Sequence, residues 1–143
     1  MANVIDTIHS ESPQKRQQFI IAAFMDSFGD LIKDQPAAIS NKFRKMAVTP
    51  FAFYRGSAVL FYDDMARDSE VFTDEKTSRV WIQGDLHAAN FGTYMNGVGI
   101  LVFDANDFDE AYVAPYTWDI KRLVASLSLI GYEKALSDDE IRE

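Results

Sequence analysis

The apolar residues of this chain change their period twice, and those changes set the fold class. From Phe19 to Met65 they recur at helical spacing, from Arg79 to Phe103 they gather into short β-prone runs, and from Tyr116 they return to helical spacing. Ser12-Pro13 reads as a helix cap with proline in the first turn. Phe19, Ile20, Ala23, Phe24, Phe28, Leu31 and Ile32 then mark one face of a helix that should stop before Pro36. Ile39, Phe43 and Met46 predict a second short helix. Thr49-Pro50, followed by Phe51, Tyr54, Ala58, Phe61 and Met65, predicts a third. The run Arg79 to Gln83 stops at Gly84, and Ile100 to Phe103 forms another, with Asn96-Gly97 between them as the signal for a tight hairpin turn. Gly97-Val98-Gly99 fits a hairpin tip better than a phosphate loop. A last helix should begin near Pro115 to Thr117, with Tyr116, Ile120, Leu123, Val124, Leu127 and Ile130 on one side. The expected fold is therefore α+β, mainly helical, with one short β-hairpin.

Composition narrows the function. At 143 residues, 48% of them apolar, one domain is the default. Cysteine is absent and only His9 and His87 are present, which excludes disulfides and argues against structural zinc. The N-terminus MANVIDTIHSESPQKRQQ lacks the features of an export signal, and no apolar run approaches the ~20 residues of a membrane span. A cytoplasmic protein with no membrane partner is expected. The net charge of -8 argues against a general nucleic-acid surface. It leaves room for a divalent cation. Ser137 and Glu140 form a capping box close to Glu143, so the sequence reads as the N-terminal portion of a longer protein, an incomplete domain spanning 1-143.

The chemistry-bearing residues lie in two segments. In VWIQGDLHAANFG, Asp85 is followed five positions later by Asn90. Kinase catalytic loops use that spacing to face a base carboxylate toward the substrate while an amide oxygen turns to a metal. The second segment, LVFDANDFDEA, offers Asp104 at a strand end and Asp107 shortly after it as further oxygen ligands for magnesium. Asp109 and Glu110 read as solvated loop acids. Arg55, among Phe51, Phe53, Tyr54 and Phe61, is expected to need a carboxylate or a phosphate, an ion pair with a loop acid being favoured over ligand contact. Trp118 reads as core, and Lys121 and Arg122 as a solvated face.

GDLHAAN resembles the GDxHxxN loop of aminoglycoside and choline kinase-type phosphotransferases, in which the Asp is the base and the Asn a metal ligand. More closely, FAFYRG, VWIQGDLHAANFGTY, LVFDANDFDEA and WDIKRLVASL resemble the bacterial family of domain of unknown function 2252, from about Lys42 to Gly131. The resemblance implies a kinase-like catalytic lobe. Asp85 would be the base, His87 an orienting group, and Asn90 and Asp107 the metal ligands with Asp104 in support. Arg55, from its need for a carboxylate or a phosphate, is the candidate cofactor contact in support. Small-molecule kinases also place a helix-opening Asp twelve positions after the metal Asp, which matches Asp107 and Asp119, while strand position favours Asp104. Asp119 would brace the loop or act as a first-turn carboxylate.

A glycine-rich ATP clamp and a strand lysine are not visible. Longer relatives are expected to carry them after the catalytic segment, a permuted order, so activity is expected to need a C-terminal portion or a second chain. The expected function is magnesium-dependent transfer of a phosphoryl group from ATP to a hydroxyl or amine of an unknown small-molecule or protein acceptor. The alternatives are a non-catalytic nucleotide- or metal-binding regulatory module and a metal-dependent phosphoesterase.

Overall fold

The computed structural model describes residues 11–67 and 71–142; the reading of the N-terminus, His9 included, lies outside them. The described residues form two compact units that divide between Val71 and Phe72.

In the first unit, helix α1 (Pro13–Asp34) starts where the cap signal places it, with Ser12 Oγ accepting the Lys15 N–H at 3.3 Å. Pro36 disfavours helical backbone at Gln35, so α1 ends and α2 (Pro36–Met46) begins afresh. Thr49 caps α3 (Pro50–Gly56) through a 3.1 Å bond from the Ala52 N–H. The single third helix expected from the sequence is in fact two, because the chain breaks at Ser57 before α4 (Ala58–Met65). Ser57 Oγ donates to the Phe53 carbonyl at 2.6 Å, and Gly56 before it is a poor helix former. Packing explains the glycine: a Cβ at residue 56 would stand 2.4 Å from Met46 Cγ.

Phe24 organises the core of this unit, its ring centroid 5.5 Å from Phe43 and 6.3 Å from Phe53. Ile39, Met46, Leu60 and Met65 are buried in the same unit. Arg16 closes the unit with a two-pronged pair to Asp64, both contacts at 2.7 Å, and the hydrogen bond to that carboxylate raises the arginine's pKa.

The second unit holds four strands in two antiparallel pairs. Strand β1 (Val80–Ile82) pairs with β4 (Tyr112–Ala114), and β2 (Phe91–Met95) pairs with β3 (Leu101–Ala105). This corrects the expected pairing, since the strand entering the hairpin is β2 and not the run from Arg79. Strand β2 shows no burial alternation, and Leu101 and Phe103 of β3 are mostly exposed, so no period-two signal marks the hairpin. The tip is longer than a two-residue turn: Asn96 Oδ1 accepts the N–H groups of Val98 and Ile100, and Gly99 takes φ +79°.

Helix α5 (Tyr116–Glu133) follows β4, and the expected capping box opens α6 (Asp138–Arg142), with Glu140 accepting from the Ser137 N–H at 2.8 Å. The apolar stripe expected to anchor α5 faces outward: Ile120, Val124 and Leu127 are each more than half exposed. The buried positions are Thr117, Arg122, Ser126 and Gly131. No helix among the described residues is long and apolar enough to cross a membrane.

Candidate active site

The largest side chains with less than 2% exposure are Arg122, His87, Asn90 and Ser126, all polar and all in the second unit. Buried polar groups are costly unless hydrogen-bonded, so such a centre requires a built network. Its scaffold is the segment from Gln83 to Asn90, laid against α5.

Asp119, in the first turn of α5, accepts two consecutive backbone N–H groups of that segment, from Gln83 at 2.7 Å and from Gly84 at 3.1 Å. The bracing role expected for Asp119 is thus present. One turn on, Arg122 reaches Asp85, its Nε donating to Oδ1 at 2.5 Å and its Nη2 pairing with the same oxygen. Two turns from Asp119, Ser126 Oγ accepts the Ala88 N–H at 3.0 Å. Gly84 lets the loop pass close to the acidic segment: φ is +94°, and a Cβ there would lie 2.0 Å from the Glu110 carbonyl oxygen.

The loop closes on itself through Asn90, whose Oδ1 accepts the His87 N–H at 3.0 Å while its backbone N–H donates to the His87 carbonyl at 2.9 Å. The Asn90 carbonyl takes the Asn106 N–H at 2.8 Å, which ties the loop to the segment after β3. Asp107, in that segment, has left-handed backbone, φ 63° and ψ 60°. Gln83 holds it there, since Nε2 donates to the Asp107 carbonyl at 2.6 Å and to the Asn106 carbonyl at 3.1 Å. A non-glycine residue kept in this region by a buried side chain is a common property of ligand sites. The consequence is that the Asp107 carboxylate lies by Asn90, Oδ2 to Nδ2 at 3.5 Å. Asp104 is oriented differently, its Oδ1 accepting the N–H of Ala105 next to it. His87 Nε2 lies 3.8 Å from Asp85 Oδ2.

Strand β4 contributes Tyr112, opposite Ile82. Its phenol is pushed from 10.0 up to about 12, first by burial and then by the negative charge of Asp119. The folded chain holds this proton more tightly than the unfolded chain. The associated stability is complete below pH 10.0 and is lost as pH rises through about 12. The unfolding midpoint should fall across that window, and Tyr112→Phe should flatten the fall; thermal melts at stepped pH provide the check.

The sequence profile described as "Uncharacterized protein conserved in bacteria (DUF2252)" matches residues 34–143. The chain belongs to the DUF2252 family. No curated protein and no solved structure matches it.

In this DUF2252 chain, Asp85, His87, Asn90 and Asp107 come together in one network within the second unit. Arg55 sits on α3 of the first unit, is exposed, and has no ion-pair partner among the described residues, so the premise of a costly buried charge does not hold there. Arg122 corrects the sequence reading most sharply, being wholly buried against Asp85 where a solvated face was expected. Its signal was available: Asp119, Arg122 and Ser126 fall at steps of three and four, a polar stripe along one helix face. Gln83 was also missed. Nothing in its sequence context distinguishes a strand-end glutamine that serves the backbone of residues more than twenty positions away.

Among the described residues no group of three or more His, Asp or Glu side chains could form an all-protein metal cage. Asp107 is exposed and presents a carboxylate, toward which the buried Asn90 turns its amide N–H, its Oδ1 being taken by the His87 N–H.

Proposed function

We propose that the segment from Gln83 to Asn90, with Asp107, is a phosphoryl-transfer site that uses magnesium and ATP to modify a hydroxyl or amine acceptor. The observation that supports it is that Gln83 joins Asp85 to Asp107, its Oε1 accepting the Asp85 N–H and its Nε2 donating to the Asp107 carbonyl, on a loop whose backbone is tied down by Asp119 and Ser126. In-line phosphoryl transfer asks little of a protein beyond positioning and charge compensation. Asp85 accepts the acceptor's proton at Oδ2, because Oδ1 is already held by Arg122. His87 Nε2 lies 3.8 Å from that oxygen, beyond hydrogen-bond reach, and the part of His87 is to orient the loop, its backbone N–H held by Asn90 Oδ1. Asp107 would hold the metal through its carboxylate, Asn90 would join it once its amide turns to bring Oδ1 in place of the Nδ2 that faces Asp107 here, and Asp104 supports the segment that carries Asp107. Magnesium, when bound, supplies compensation for the charge on the phosphates.

A second reading, a nucleotide-binding module without turnover, draws on the same Arg122 contact, since a carboxylate clamped by a buried guanidinium also suits a purely anchoring role. The two separate in an assay of ADP formation from ATP, with magnesium, over a panel of hydroxyl- and amine-bearing acceptors. Acceptor-dependent ADP formation that drops about 100-fold or more in Asp85→Asn, whose amide oxygen still accepts from the buried Arg122, with folding retained, is the expected result. Turnover unchanged in Asp85→Asn would sink the assignment. Magnesium-dependent nucleotide binding with no turnover would favour the module.

A further inference from the structure

The first unit carries a shallow, open cavity of about 580 Å³ whose walls are residues of α2 and α3. Lys42 and Lys45 line it from α2, Arg55 lines it from α3, and no carboxylate lines it. Met46 and Phe51 supply an apolar floor. In a chain with net charge -8, three cations around one cavity with no acid among its walls are notable. The fourth polar group, Asn41, has its amide oxygen occupied by Arg44 Nη2 at 2.7 Å, which leaves its amide N–H groups as donors. Every polar side chain on the walls therefore offers donors. Neither Lys45 nor Arg55 has an ion-pair partner among the described residues.

Last-turn cations offset the dipoles of the helices that carry them, and Lys45 and Arg55 occupy such positions. That role does not account for cations of two helices, Lys45 and Arg55, lining one cavity. The Lys42 ammonium is engaged elsewhere, its Nζ 4.9 Å from the ring centroid of Phe28, which is not a wall residue. The guanidinium fork of Arg55 and the ammonium of Lys45 suit the oxygens of a phosphate, and Met46 and Phe51 suit an organic substituent. We propose that this cavity binds a small organic phosphate, with Arg55 and Lys45 on the phosphate group and Met46 and Phe51 against the organic part. The site lies wholly within the first unit and does not depend on the chemistry of the Asp85 loop.

The test is calorimetric titration of the whole chain with phenyl phosphate, without divalent cations, beside titrations with inorganic phosphate and benzyl alcohol. Saturable binding of phenyl phosphate is expected, stronger than that of either partial probe. Arg55→Gln and Lys45→Gln should each weaken it about tenfold. Both residues are exposed, so folding should survive, and circular dichroism verifies that. Lys33→Gln on α1, outside the cavity, and Asp85→Asn in the other unit should leave binding unchanged. Absence of saturable binding would overturn the proposal, as would equal affinity in the wild type, Arg55→Gln and Lys45→Gln. Loss of binding in Asp85→Asn with retention in Arg55→Gln would overturn it as well, by moving the phosphate to the loop.

Discussion

Arg122→Met should destabilise the chain by about 3 kcal/mol, because it removes one partner of a buried ion pair. Arg122 has no exposed surface, while the Asp85 side chain is 20% exposed. Removing the guanidinium leaves a carboxylate that is too enclosed to hydrate fully and no longer has its strongest donor. Residual water access to Asp85 puts the cost at the lower end of the range for such breaks. The cost should depend on the partner: Asp85→Ala in the same chain should recover about 1 to 2 kcal/mol relative to the sum of the single changes. Urea unfolding of the wild type, the two single variants and the double variant measures this coupling. Strict additivity would mean that Arg122 does not act through Asp85.

Gly84→Ala should be comparably damaging by a different route. The residue has φ +94°, where an L side chain is strained by about 1 to 3 kcal/mol. The added Cβ would also meet the Glu110 carbonyl oxygen at 2.0 Å. That obstacle is backbone, so relief requires the loop and the acidic segment to separate, which pulls the Gly84 N–H from Asp119 and moves Asp107 from Asn90. A loss of about 3 kcal/mol or more, roughly 10 °C in the melting midpoint, is expected. Gly97→Ala is the control: it lies in the hairpin tip with nothing within 4 Å of a new Cβ, and its midpoint should stay within about 2 °C. Equal midpoints for Gly84→Ala and the wild type would contradict the close approach.

What could be read from the sequence was whatever local chemistry specifies. Ser12-Pro13, Pro36 and Thr49-Pro50 delimited helices because caps and prolines act on adjacent backbone. The spacing from Asp85 to Asn90 was readable for the same reason, since one tight loop joins them. The losses all involve choices made by distant parts of the chain. Strand β2 pairs with β3 and β1 with β4, and neither exposed face writes an alternating pattern into the sequence. Helix α5 shows a clear apolar stripe, yet its inward face in this unit is the polar one, because the loop's backbone donors need Asp119 and Ser126 and its carboxylate needs Arg122. Periodicity reports that a stripe exists. It does not report which stripe the loop will dock against. The competing claims of Asp104 and Asp107 were likewise not settled by spacing; their orientations differ because Asp107 stands on left-handed backbone held by Gln83 and faces Asn90, whereas Asp104 Oδ1 accepts the Ala105 N–H.

Asp107→Asn is the most informative single change, because asparagine tolerates left-handed backbone as aspartate does, so the substitution removes charge while retaining the fold of the segment. The direct measurement is a calorimetric titration of ATP into the chain and into Asp107→Asn, each with and without magnesium. The predicted result is binding that requires magnesium and weakens about tenfold or more in Asp107→Asn, with a smaller loss in Asp104→Asn and unchanged melting midpoints. Binding indifferent to magnesium, or equal in the wild type and Asp107→Asn, would contradict the account.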